Sequence, residues 1–113
     1  INAYGRVAIL AVGAGGIGTG VWLSGKLTQE VNAPYERTIY ATKSALKSLD
    51  LEITKETKSE NVTQIKGRYT DDREIWIDIR PIAELSTKID VRVGALGDKE
   101  ASAKILKRIT RYL

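Results

Sequence analysis

Four stretches of this 113-residue chain alternate apolar and polar side chains with a period of two. Leu51 and Ile53 alternate with Glu52 and Thr54, and Thr63, Ile65, Gly67 and Tyr69 with Gln64, Lys66 and Arg68. Ile75, Ile77 and Ile79 alternate with Glu74, Trp76, Asp78 and Arg80, and Ile89, Val91 and Val93 with Lys88, Asp90 and Arg92. Successive side chains of a strand point to opposite faces, so each stretch predicts a strand with one covered and one wet face, as in an antiparallel sheet. A more broken alternation sets Val21, Leu23, Leu27 and Val31 against Ser24, Lys26, Thr28 and Glu30, and predicts one further strand over 21–31. "KSEN" and "TDDR" read as hairpin connections. "PIAELST" reads as a longer one, with Pro81 ending its strand because proline cannot donate to a ladder.

Two segments carry a helical period instead. Tyr35, Ile39, Thr42, Leu46 and Leu49 recur at spacings of four and three, one face of a helix. Asn32-Ala33-Pro34 starts it, Pro suiting the first helical position, where an N–H would be unpaired anyway. Glu36 favours the positive end of the helix dipole, and Asp50 marks the exit. The last helix opens at Gly97-Asp98, with Asp98 as N-cap. Ala101, Ile105, Ile109 and Tyr112 form its apolar face, widened by Leu106 and Leu113, and Lys104, Lys107, Arg108 and Arg111 crowd its C-terminal half. The expected fold is therefore α+β: an antiparallel sheet of four to five strands with two amphipathic helices on one face, in the order β-α-β-β-β-β-α.

Residues 1–25 read differently. Between Arg6 and Lys26 lie 19 uncharged residues, six of them Gly, so a Gly-rich apolar anchor or packing segment over 1–25 is expected to precede a small domain over 26–113. Gly13-x-Gly15-x-x-Gly18 has the letters of a dinucleotide-binding turn. That site also needs a helix after the turn and a second parallel strand, and neither follows. Two readings stay open. The stretch has the length of a bilayer-crossing helix, about 20 residues, with small residues such as Gly16 and Gly20 at the spacing that lets helices pack closely. Alternatively it is an extended lead that packs on a neighbouring subunit. A buried piece of the domain's own core is the plainer option. On either open reading the membrane or subunit contacts would be Val12, Gly13, Gly16, Ile17, Gly20 and Trp22.

Composition narrows the chemistry. His and Cys are both absent, which removes the commonest general base, the thiol nucleophile and the commonest metal ligands. No convergent polar constellation replaces them, so no enzyme, no metal and no cofactor is expected. Asp71, Asp72 and Glu74 read as a solvated hairpin rather than a metal site. The net charge of +4 comes from 18 basic and 14 acidic residues that are interleaved, which does not predict a nucleic-acid partner. Trp76 falls on the polar parity of its strand. A large aromatic on a wet face marks a contact surface, and Trp76, Arg80 and Arg92 are the candidates for partner contact.

A Gly/Ala-rich lead, then "KLTQEVNAPYERTIYATKSALKSLDLEIT", "IKGRY" and "STKIDVRVGALGDKEASAKIL", resembles a family of small bacterial envelope lipoproteins, domain of unknown function 3568. The resemblance rests on Asn32-Ala33-Pro34, Leu49-Asp50-Leu51, and Val91-Arg92-Val93-Gly94 followed by Gly97-Asp98, and covers about 90 of the 113 residues. These are caps, turns and strand alternation, so they speak for a fold more than a chemistry. The family implies a location in the bacterial cell envelope, on the periplasmic side of a membrane or outside the cell if filamentous, with a lipid-bearing Cys ahead of the small-residue stretch. This chain has no Cys, so the anchor is either an upstream lipidated residue or the glycine-rich segment itself. In such a chain the Asn61-Val62-Thr63 glycosylation pattern is set aside.

The expected function is a non-enzymatic, membrane-tethered interaction or structural domain, with a protein partner or a homo-oligomer. The alternatives are an accessory subunit of a membrane complex or filament, packed through its N-terminal segment, and a small-ligand or lipid-binding module using the groove between helices and sheet.

Overall fold

The computed structural model describes residues 20–113. Six strands and two helices follow in order: β1 (Val21–Leu23), β2 (Lys26–Val31), α1 (Tyr35–Ser48), β3 (Glu52–Lys58), β4 (Thr63–Arg68), β5 (Glu74–Ala83), β6 (Ser86–Val93) and α2 (Lys99–Arg111). All strands lie in one antiparallel sheet of spatial order β1-β2-β6-β5-β4-β3. The α+β class, the single antiparallel sheet and the two helices are as the periodicities predict, but the sheet has six strands rather than four or five.

The additional strand comes from a turn. Ser24 and Gly25 both adopt positive φ, 56° and 80°, the requirement of a tight two-residue hairpin whose twist matches its strands. The expected strand over 21–31 is thus folded back on itself. Pairing places Trp22 opposite Leu27, and Val21 and Leu23 opposite Thr28 and Lys26. Directly opposed residues share a face, so the turn inverts the expected parity. Trp22 lies against the core, and Val21 and Leu23 stand on the other face.

The chain leaves β2, passes over the sheet as α1 to the far edge, and returns through the β3–β6 meander until β6 pairs with β2. One face is covered. Ile65, Ile75, Ile77, Ile79, Ile89, Val91 and Val93 are fully buried there beneath Ile39, Leu46, Ile105, Leu106 and Ile109 of the helices. Each such side chain contributes about 1.5–3 kcal/mol on leaving water. Three buried threonine hydroxyls find partners: Thr38 Oγ1 donates to the Pro34 carbonyl (2.9 Å), Thr42 Oγ1 to that of Thr38 (2.8 Å), and Thr87 Oγ1 to that of Ala33 (2.7 Å), whereas the buried Ser102 hydroxyl has none. Gln29 lies on the same face at 3% exposure with neither amide atom hydrogen-bonded.

Three further expectations change in detail. Pro34 caps α1 from an extended backbone rather than occupying its first turn. Pro81 does not end its strand: β5 continues to Ala83 and turns back within two residues. Proline is tolerated because the β4 pairing ends at Ile79 and a register shift falls between Pro81 and Ala83. Tyr112, expected on the apolar face of the last helix, is instead 43% exposed, since α2 has already ended at Arg111.

At the β3 edge a register shift between Ile53 and Lys55 turns Glu56 and Lys58 toward the helix layer, opposite Ile65 and Thr63. There Lys43 Nζ meets Glu56 (3.1 Å) and Lys58 Nζ meets Glu36 (2.8 Å), tying α1 to the edge strand. Glu56, which unbroken alternation with Glu52 and Thr54 would put on the wet side, therefore faces the helix.

The loop after β6 closes against the β1–β2 turn. Gly97 has φ of 83°, and a Cβ placed on it would lie 2.2 Å from the Gly25 carbonyl oxygen. Backbone meets backbone there, so neither side can give way. Gly97→Ala combines a left-handed strain of about 1–2 kcal/mol with that overlap. We expect it to lower stability by about 2 kcal/mol or more, read as a lower urea midpoint at an unchanged m value.

Candidate functional site

The pleat sends the other half of each strand to a face with no helix over it. Register arranges this open face into rows that run across the strands. Leu23 stands opposite Lys26, Trp76 opposite Arg92, Lys66 opposite Trp76 and Lys55 opposite Lys66. Leu27 pairs with Val91, which makes Lys26 and Arg92 neighbours. One row therefore reads Leu23, Lys26, Arg92, Trp76, Lys66, Lys55. It holds four cations and no acid.

The next row carries the carboxylates. Asp90 faces Thr28 on one side and Asp78 on the other, and Asp78 faces Gln64. Two acids directly opposed repel, and the surrounding side chains offset this. Thr28 Oγ1 donates to Asp90 Oδ1 (2.5 Å), Arg80 Nη1 to Asp90 Oδ2 (3.2 Å), and Gln64 Nε2 to Asp78 Oδ1 (2.9 Å). Lys26 Nζ lies 3.9 Å from Asp90 Oδ2, and Arg80 Nη1 3.8 Å from Asp78 Oδ2. The Asp90 side chain is only 5% exposed although no helix covers it. Between the two rows opens a cleft of about 280 Å³, lined by Lys26, Gln64, Trp76, Asp78, Asp90 and Arg92.

Arg92 is held in place without an acid. Its guanidinium donates to the Ala95 carbonyl (3.0 Å) and to the Ser24 carbonyl (2.8 Å), linking the loop after β6 to the β1–β2 turn. Carbonyl oxygens satisfy its donors but leave its full charge on the surface. Close by, Asp98 caps α2: Oδ1 accepts from the Ala101 N–H (3.0 Å) and Oδ2 from Arg73 Nη1 (3.0 Å). The Ala101 N–H, followed by Arg73, holds the Asp98 carboxyl below its ordinary value of 3.8, while hydrogen bonding to Asp98 keeps Arg73 more firmly protonated than usual. At the opposite end of the sheet, the hydrogen bond to Glu36 raises Lys58 above its ordinary value.

Of the residues singled out from the sequence, Trp76 and Arg92 come together as direct cross-strand neighbours, on the uncovered face as parity requires. Arg80 shares that face but is tied to Asp90 and Asp78. Trp22 packs against the domain's own core, and Gly20 immediately precedes β1. Val12, Gly13, Gly16 and Ile17 lie outside the described residues. Sequence reasoning missed Lys26, Gln64, Asp78 and Asp90. The signal was the even spacing of Asp78 and Asp90 about residue 84, which pairs them once the β5–β6 turn is recognised as tight. Asp71 and Asp72 are exposed in their hairpin, as expected, with Asp71 bound to Arg73. Among the described residues no helix is long and apolar enough to cross a membrane.

A model of a protein family of unknown function, DUF3568, matches residues 1–112. The chain belongs to the DUF3568 family. The match includes the glycine-rich stretch ahead of the sheet, so the DUF3568 pattern spans both parts of this sequence. A search of the curated proteins found no match.

Two outcomes test this reading of the DUF3568 face. Asp90→Ala leaves Arg80 and Thr28 without their acceptor, and we expect a loss of about 1–3 kcal/mol in urea unfolding, with Asp90→Asn recovering part of it. Asp98, with its native pKa depressed, contributes stability that is complete above its unfolded value and is lost as pH falls through the native one. Asp98→Asn should therefore flatten the fall in thermal midpoint below about pH 4 and leave the midpoint's slope near neutral pH unchanged.

Proposed function

We propose that this DUF3568 protein is a non-enzymatic, membrane-tethered interaction domain of the bacterial cell envelope, whose contact surface is the open face of its sheet. The observation that carries this reading is the asymmetry of the sheet. One face is sealed by two helices, while the other presents Trp76 and an acid-free row of cations beside a shallow cleft. A large aromatic flanked by cations on an uncovered face suits contact with another surface. The carboxylates of the cleft are bound by Thr28, Arg80 and Gln64, an arrangement that holds them as structural acceptors.

The tether belongs to the same picture. Of the 19 uncharged residues 7–25, the last five form β1 and its turn, and residues 7–20 precede this edge strand beside that face. An anchor ahead of β1, whether residues 7–20 or a lipid upstream of them, would keep the open face close to the membrane. Partnership within a larger complex or filament is the second reading, favoured by the exposed Val21 and Leu23 on β1. The groove between helices and sheet, an alternative ligand site, is occupied by core side chains.

Cell fractionation with the full chain tests the tether. We expect the protein in the membrane pellet after a high-salt wash, and a form lacking residues 1–19 in the supernatant; full-length protein washed free would refute it. Oxidative footprinting of the membrane-bound form tests the surface. Trp76 should be protected several-fold relative to the truncated form, while Tyr40 on the outer face of α1 should oxidise equally in both.

A further inference from the structure

We propose that the open sheet face docks on an anionic lipid surface, with the row Lys26, Arg92, Trp76 and Lys66 lying against the headgroups. The proposal rests on the tethered reading above and names what the face touches. Strands are about 4.8 Å apart, so a row crossing six of them spans about 24 Å. Within it Arg92, Lys66 and Lys55 have no carboxylate partner among the described residues, and Lys26 has only Asp90 at 3.9 Å. Carboxylates stand one row away on either side: Asp90, buried and hydrogen-bonded, with Asp78 on one, and the exposed Glu74 and Glu52 on the other, where both flank Arg68. A row of free cations is complementary to anionic headgroups.

Charge alone would not select this face. The outer side of α2 also carries exposed cations, Lys104, Lys107 and Arg111. What separates the two is apolar surface. At the Lys26–Arg92 end of the row, Leu96 is 93%, Leu23 65% and Val21 58% exposed. Arg92 and the Gly25–Gly97 contact bring these residues to one corner by joining the loop after β6 to the β1–β2 turn. Exposed aliphatics beside cations, with a Trp in the same row, match the chemistry of a bilayer interface: apolar side chains enter the headgroup boundary and cations stay outside it. The uncharged stretch 7–25 ends in this same corner.

The full chain with Trp22→Phe, in which Trp76 is the sole tryptophan, is mixed with vesicles of phosphatidylcholine alone or with added phosphatidylglycerol. We expect sedimentation with both through the N-terminal stretch. Trp76 emission should shift to the blue and be shielded from acrylamide only with phosphatidylglycerol, and high salt should reverse this. Lys26→Glu combined with Lys66→Glu, or Leu96→Asp alone, should abolish the shift while sedimentation persists. Lys104→Glu, Lys107→Glu and Arg111→Glu together should leave it intact. Leu96→Cys carrying an environment-sensitive dye, a unique label because the chain has no cysteine, gives the same readout without altering Trp22.

Sedimentation with both vesicles but no change at Trp76 or position 96 overturns the docking and leaves the tether standing. Absence from both pellets overturns the docking and the tether through the N-terminal stretch together. Binding only to anionic vesicles, with the Trp76 shift, supports the docking and refutes anchoring by the N-terminal stretch. Loss of the response on reversing the α2 charges instead would assign the lipid contact to the helix layer and overturn the proposal. An unchanged Trp76 on vesicles, with a photo-crosslink from position 66 to a protein in cells, would do the same in favour of a protein partner.

Discussion

The whole molecule depends on the two-residue pleat of β4, β5 and β6. Over Thr63–Arg68, Glu74–Arg80 and Thr87–Val93 every second residue is Ile, Val, Thr or Gly on one side and charged, Gln or Trp on the other, so the sheet can be buried on one face only. That constraint recruits the helices. Among the described residues, α1 and α2 are the elements whose apolar faces cover the buried face. It also leaves the second face to be finished by side chains alone. A row of cations and a row of hydrogen-bonded carboxylates then lie next to each other there, and the cleft forms between them.

Small irregularities give this regular frame its particular surface. The Ser24-Gly25 turn inverts the parity of the first strand, placing Trp22 inside and Val21 and Leu23 outside. The shift in β3 moves Glu56 and Lys58 under α1, where each finds an opposite charge. Exposed pairs of this kind are worth only about 0–1 kcal/mol; their effect is rather to give an edge strand charged inward-facing positions, which discourage pairing with another chain. Gly97 brings the loop after β6 against the first turn, and Arg92 bridges the two. The apolar corner of Val21, Leu23 and Leu96 therefore exists only because two segments some seventy residues apart in sequence meet there.

Chemistry and architecture part ways here. A fold of this kind accommodates many functions, so its function has to be argued from the surface and not from the topology. Membership in a family of unknown function adds that the glycine-rich stretch and the domain belong together. The absence of His and Cys narrows what the surface can do, and the internal pairing of Asp78 and Asp90 narrows it again. What stays available to a partner is Trp76, the unpaired cations of its row and the exposed aliphatics at its end.

Periodicity, caps and composition sufficed for the alternating strands, the buried Ile and Val positions, both helices, the Asp98 cap and the outward placement of Trp76. These are local properties, decided by which residues recur at two or at three to four positions. Ser24-Gly25 is a legible turn signal overshadowed by the apparent continuity of its flanks, and Pro81 signals a stop that the end of the β4 pairing makes unnecessary. Register was the part only tertiary structure decided. Which cation neighbours Trp76, that Asp90 is buried on a face without a helix, and that Leu96 joins Leu23 all depend on pairing between distant segments. Such pairing is fixed by the summed packing of the whole sheet, and no single stretch of sequence carries it.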